Sequence, residues 1–187
     1  MGFCNFIRRM VKHRKSVNKG IGDMKKKEAL YMSMTHKELS SLSDDCFFEA
    51  IMYRTEHWVG LYEQWEEGVN SLNPYQKIFY SVNWLAAEVN NGGLCQFFVN
   101  SSRMVAPYVS EYMSAIGAME HKKLFDKFVS DNNIDLNNLS SFDVDSFEEF
   151  NEQSERYPFD EYDDAFFNLT PLEEYLTQFA KEHLEHF

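Results

Sequence analysis

Between Asn73 and Arg103 the chain sets up an apolar helix and then breaks it. Tyr75, Ile78, Phe79, Val82, Leu85, Ala86 and Val89 recur at spacings of three and four, so a helix here turns one stripe toward a core. Pro74 suits the first turn, where its missing N–H has no intrahelical partner, and Asn73 can cap from outside. Asn90, Asn91, Gly92 and Gly93 end the run, because asparagine and glycine tolerate the left-handed backbone a helix terminus commonly needs. Leu94, Phe97 and Phe98 form a second short stripe. Asn100, Ser101 and Ser102 then carry side-chain oxygens able to cap a third helix near Arg103. The stretch is a helix, a tight corner, a short helix and another corner, and the rest of the chain must pack around it.

Polar residues inside this hairpin admit two readings. Glu88, Asn90, Asn91, Gln96 and Asn100 can satisfy backbone groups left over at the corners around Gly92 and Gly93, since buried N–H and C=O groups need partners. Alternatively Glu88, Gln96 and Asn100 form a small site for a ligand or metal. No histidine or cysteine pair at ligand spacing accompanies them and Cys95 stands alone, so the structural reading is preferred.

Elsewhere the helical period recurs without period-two alternation, and the expected fold class is all-α: one multi-helix domain with a basic N-terminal extension. Ser43, Asp44 and Asp45 start a helix expected to run to about Glu67, with Phe47, Ile51, Trp58, Tyr62 and Trp65 on its core face. A helix from Met104 to Ile116 carries Pro107 in its first turn, and Leu124, Phe125, Phe128 and Val129 face the core from the next. Thr170, Pro171 and Glu173 read as a capping box before a last helix burying Leu172, Tyr175, Leu176, Phe179 and Leu184. His183 and His186 are spaced i, i+3, but a third metal ligand is missing from the pattern.

Charge is divided unevenly along the 187 residues, whose net is -12. Residues 1–27 hold nine Lys and Arg against Asp23 alone, whereas residues 131–187 hold 16 acids against Arg156 and Lys181. Phe3, Phe6, Ile7, Met10 and Val11 alternate with Arg8, Arg9, Lys12 and Lys15 as a basic amphipathic segment. Such a segment can meet an anionic membrane surface, nucleic acid, or the acidic body. The expected division is therefore 1–36, extension and linker, and 37–187, an acidic helical domain. Three scattered cysteines argue against a disulfide framework, and no stretch approaches a membrane span or a signal peptide, so a cytoplasmic location is expected. No Ser/His/Asp or Cys/His set, phosphate loop or metal spacing points to an enzyme or a bound cofactor.

In the last third, Asp145, Glu148, Glu149, Glu152 and Glu155 fall at helical steps as a carboxylate stripe, with Val144, Phe147 and Phe150 expected to point to the core. Asp160, Glu161 and Asp164 continue it, turned away from Phe159, Tyr162, Phe166 and Leu169. A stripe of this kind either keeps the protein soluble or presents charge to a basic partner.

The run from Glu88 to Asn100, EVNNGGLCQFFVN, followed by Ala115, Ile116 and Gly117, resembles the signature of the bacterial DNA-mimic protein family. The likeness extends over roughly Ser43 to the C-terminus. It implies a dimeric, non-enzymatic protein without cofactors that offers carboxylates where DNA offers phosphates to a basic DNA-binding protein such as a transcription factor, and that does not itself bind nucleic acid through its acidic body. The basic residues 1–27 depart from that pattern. The competing reading is a helical binding domain, for a small ligand or an immunity-type partner, whose acidity serves solubility.

Overall fold

The central feature of the computed structural model is the helix pair made by Pro74–Val99. The structure describes residues 22–187, and the basic amphipathic segment read at residues 3–15 lies outside them. Among the described residues the fold is all-α, with no strand. In chain order the helices are α1 (22–33), α2 (His36–Leu39), α3 (Asp44–Val59), α4 (Trp65–Ser71), α5 (Pro74–Val99), α6 (Ala106–Ala115), α7 (Met119–Asp131), α8 (Phe147–Arg156), α9 (Phe159–Phe167) and α10 (Leu172–Glu182). Short 3-10 turns occupy Ser101–Val105, Ser140–Phe142 and Leu184–His186. The described residues divide into two compact units, with the boundary between His57 and Trp58.

In the first unit, α1 is fastened to α3 by polar contacts. Tyr31 is 7% exposed and donates its hydroxyl to Glu49 Oε2 at 2.5 Å, while Lys27 Nζ reaches Glu49 Oε1. The buried Arg54 donates to the carbonyls of Tyr31, at 3.0 Å, and Met34. A guanidinium is suited to this, because carbonyls at a helix C-terminus lack intrahelical donors. Thr35 and Glu38 form a capping box at α2.

In the second unit, α10, α6 and α9 pack against α5. Asn73 caps α5 and Pro74 occupies its first turn, as expected. Phe79, Val82, Leu85, Ala86 and Val89 are all buried before the corner, and Leu94, Phe97 and Phe98 after it. Phe98 stacks on Phe142 with centroids 4.8 Å apart and on Phe125 at 6.1 Å, while Phe128 joins the same cluster. Offset aromatic pairs of this kind add about 0.5–1.5 kcal/mol beyond their buried area.

Three expectations are corrected. The helix from Asp44 stops at Val59 rather than near Glu67, and Trp58 and Tyr62 are 43% and 45% exposed. The reason is steric: α4 folds back so closely that a Cβ at Gly68 would lie 2.5 Å from the Val59 carbonyl oxygen. Phe147 is not a core residue but 75% exposed; Gln153 is buried on α8 instead. The Thr170 capping box does not form, because Pro171 remains extended outside α10, and Glu173 is engaged by Asn90.

Gly68→Ala tests the close approach. Alanine favours helices over glycine, yet here it should destabilise by about 1–3 kcal/mol in a urea titration, because overpacking outweighs propensity.

Candidate functional site

At the corner of α5 the backbone leaves the helical region at two residues, Gly92 (φ -160, ψ 26) and Gly93 (φ 76, ψ -177). Gly92 is extended in φ, which any residue adopts, but Gly93 lies where a side chain is strained. It also has no room for one: a Cβ at Gly93 would sit 2.0 Å from Asp163 Oδ2. Asp163 comes from α9 and accepts from the Leu94 N–H at 2.8 Å, so it caps the second half of α5 as an N-terminal carboxylate should. Burial raises the Asp163 pKa above the usual carboxylate range, the Leu94 bond opposes that, and the charges of Asp160 and Asp164 add to it.

Glu88 is 6% exposed and bonded on both oxygens. Gln96 Nε2 donates to Oε2 at 2.6 Å, Asn100 Nδ2 to Oε2 at 2.8 Å, and Ser102 Oγ to Oε1 at 2.9 Å. The structure therefore brings Glu88, Gln96 and Asn100 together, but they bond to one another rather than mainly to loose backbone groups. Asn100 and Ser102 make no side-chain cap on the turn that follows. Asn90 stands apart and donates to Glu173 Oε1 at 3.2 Å, and Asn91 is exposed. Cys95 is buried, which pushes its thiol up to about 11. His183 and His186 flank Tyr75, the latter stacked at 3.9 Å and 4°. Among the described residues no group of three His, Cys, Asp or Glu side chains is placed to hold a metal.

The acidic stripe is presented by two successive helices. Asp145 precedes α8, which carries Glu148, Glu149, Glu152 and Glu155; α9 carries Asp160, Glu161 and Asp164, and all eight side chains are exposed. Glu149 also accepts from the Asp145 N–H at 2.7 Å, next to the Ser146 cap. None of the eight forms an ion pair among the described residues. On α7, by contrast, Glu120, Asp126 and Asp131 are matched by Lys123, Lys122 and Lys127.

Two residues escape a reading of the sequence. Asp163 falls between Phe159 and Phe166 on the inner side of α9, and that register is its only signal. His121 shares the buried stripe of Phe125 and Phe128, four and seven residues on. It is 2% exposed, edge-on to Phe166 at 4.8 Å, with no partner for Nδ1.

What these features define is an all-helical protein built around a kinked central helix, with an acid-rich face on two helices that pack against it. A family model described as DMP19-like protein matches residues 70–183, more than half of the chain, and the chain belongs to that family. Neither the curated proteins nor the solved structures give a match. Among the described residues no helix is long and apolar enough to cross a membrane.

Gly93→Ala should destabilise by at least about 2 kcal/mol, from left-handed strain and the clash with Asp163. Gly92→Ala should cost less, because its Cβ meets the movable Gln96 amide. Combining Gly93→Ala with Asp163→Ala should give less than the sum of the two losses; additive losses in denaturant titrations would separate glycine from carboxylate.

Burial also pushes His121 from 6.5 down to about 4. The unfolded chain then binds the extra proton first, so this group's contribution is complete above about pH 6.5 and is lost as pH falls toward 4. The melting temperature should drop across that window, and His121→Phe should flatten the drop.

Proposed function

We propose that the protein binds a basic, DNA-binding protein, with transcription factors as the leading class, by presenting the carboxylates of α8 and α9 where DNA presents phosphates. It does so without catalysis and without a cofactor. The observation that carries this reading is the contrast in charge pairing: the acids of α7 are met by lysines of the same helix, whereas the eight of the stripe face solvent with no ion pair among the described residues. Spacing supports it. At about 1.5 Å of rise per residue, Glu148, Glu149, Glu152 and Glu155 place four charges along roughly 10.5 Å, about 3.5 Å of axis per step, near the ~3.4 Å of helix axis per phosphate of one DNA strand. Membership of the DMP19-like family and the resemblance to DNA mimics point the same way.

Solubility alone would account for the charge but gives no reason for an aromatic ring among it. Phe147 heads the acidic helix at 75% exposure and Phe167 ends α9 at 56%. Exposed aromatics are enriched where proteins meet proteins.

Affinity capture from native cytosol at low and high salt should recover basic DNA-binding proteins that high salt releases, since exposed charge pairs are screened. Duplex DNA should compete with the captured partner. Glu148→Lys, Glu152→Lys and Glu155→Lys together should slow association by about tenfold or more with little change in melting temperature, because steering follows the field. Glu149 is left intact because it also bonds to the Asp145 backbone. A partner that tolerates the triple change, or that binds DNA and this protein at once, would leave the stripe as a solubility feature.

A further inference from the structure

A pocket of about 180 Å³ opens where α5, α7, α9 and α10 meet. Its apolar walls include Ala86, Phe166 and Leu172, and its polar groups are Asn90, Glu173 and His121. Cavities of about 150 Å³ lined by apolar side chains hold a benzene ring, so one substituted ring is the scale of guest this volume admits. His121 supplies the specific observation. Its ring is buried, its Nδ1 has no hydrogen-bond partner in the protein, and it lines the pocket. Other polar groups nearby are engaged: Asn90 donates to Glu173, and the Glu173 carbonyl accepts from Thr177 Oγ1 at 2.7 Å. Nδ1 itself is enclosed, so the nitrogen a guest can reach is Nε2, which likewise has no hydrogen-bond partner among the described residues; an imidazole left unmet in this way forfeits hydrogen bonding that a guest able to donate or accept would restore.

We infer that this pocket is a binding site for a single-ring aromatic molecule carrying a hydroxyl or N–H group, uncharged or cationic, whose polar end bonds to His121 while its ring lies among Ala86, Phe166 and Leu172. A neutral imidazole offers a lone pair on one nitrogen and an N–H on the other, and a hydroxyl can match either. The carboxylate of Glu173 at the rim, on a protein of net charge -12, disfavours anions. The site is independent of the acidic stripe and stands or falls without it.

The full chain titrated with phenol, toluene, tyramine and 4-hydroxybenzoate tests the assignment, read from the NMR shifts of the Ala86 and Leu172 methyls and the His121 ring. Phenol and tyramine should bind, with toluene about fivefold or more weaker despite its greater hydrophobicity, because it cannot satisfy the imidazole. 4-Hydroxybenzoate should be weaker than phenol. His121→Phe should abolish the preference for phenol over toluene. Ala86→Leu, which fills the pocket from α5 and leaves the imidazole in place, should abolish binding of both and serves if the histidine variant fails to fold. The assignment is overturned if none of the four shifts these signals at millimolar concentration, if toluene or the benzoate matches phenol, or if Ala86→Leu leaves binding unchanged.

Discussion

A carboxylate taken out of water must be met by donors, and the arrangement around Glu88 follows from that demand. Stranding such a group would cost several kcal/mol, so its three neutral donors have to be delivered to it together. Gln96, Asn100 and Ser102 all lie beyond the Gly92–Gly93 corner, whereas Glu88 lies before it. The bonds therefore form only when the chain has turned. A straight α5 would carry Gln96 more than two turns away along the axis, roughly 12 Å at the ordinary rise, and leave Glu88 exposed to its own burial penalty. The polar cluster and the apolar stripes that flank it thus specify the same bend.

Asp163 reinforces the bend from outside. It occupies the space a side chain at Gly93 would need, and it caps the helix that restarts at Leu94. Its helix, α9, is also one of the two that carry the acidic face. The placement of outward charge is thereby tied to the backbone of the core through a single inward carboxylate, while Phe159, Tyr162 and Phe166 bury the rest of the inner face.

Much of this was legible in the residues because it rests on local rules. The 3.6-residue stripe of α5, its Asn73 cap and Pro74 start, and the break at Gly92 and Gly93 need nothing beyond neighbours in sequence. The exposed positions of Asp145, Glu148, Glu149, Glu152, Glu155, Asp160, Glu161 and Asp164 follow from the same periodicity. What sequence pattern misplaced depends on long-range contact. Val59 against Gly68 ends α3 early, and no count of apolar positions along α3 contains that approach. Helical spacing assigns Phe147 to the core and residue type assigns Thr170 to a cap, yet Phe147 opens α8 in solvent and Pro171 stays extended outside α10. Asp163 and His121 were hidden for the opposite reason: polar residues on buried stripes carry little weight beside the aromatics around them.

The inward carboxylate has one more consequence, which concerns how surface and interior communicate. Asp160 and Asp164 face solvent, yet their charges help hold Asp163 above the usual carboxylate range. In acid, where Asp163 takes up its proton, a cation that settles over those two side chains cancels part of that repulsion and favours the ionised form of Asp163, the better acceptor for the Leu94 N–H. Occupancy of the outer face and firmness of the α5 corner are then thermodynamically linked, each strengthening the other by the same free energy. The fold itself becomes a reporter: protection of the Leu94 amide against hydrogen exchange would register a guest on the opposite side of α9 that never touches it.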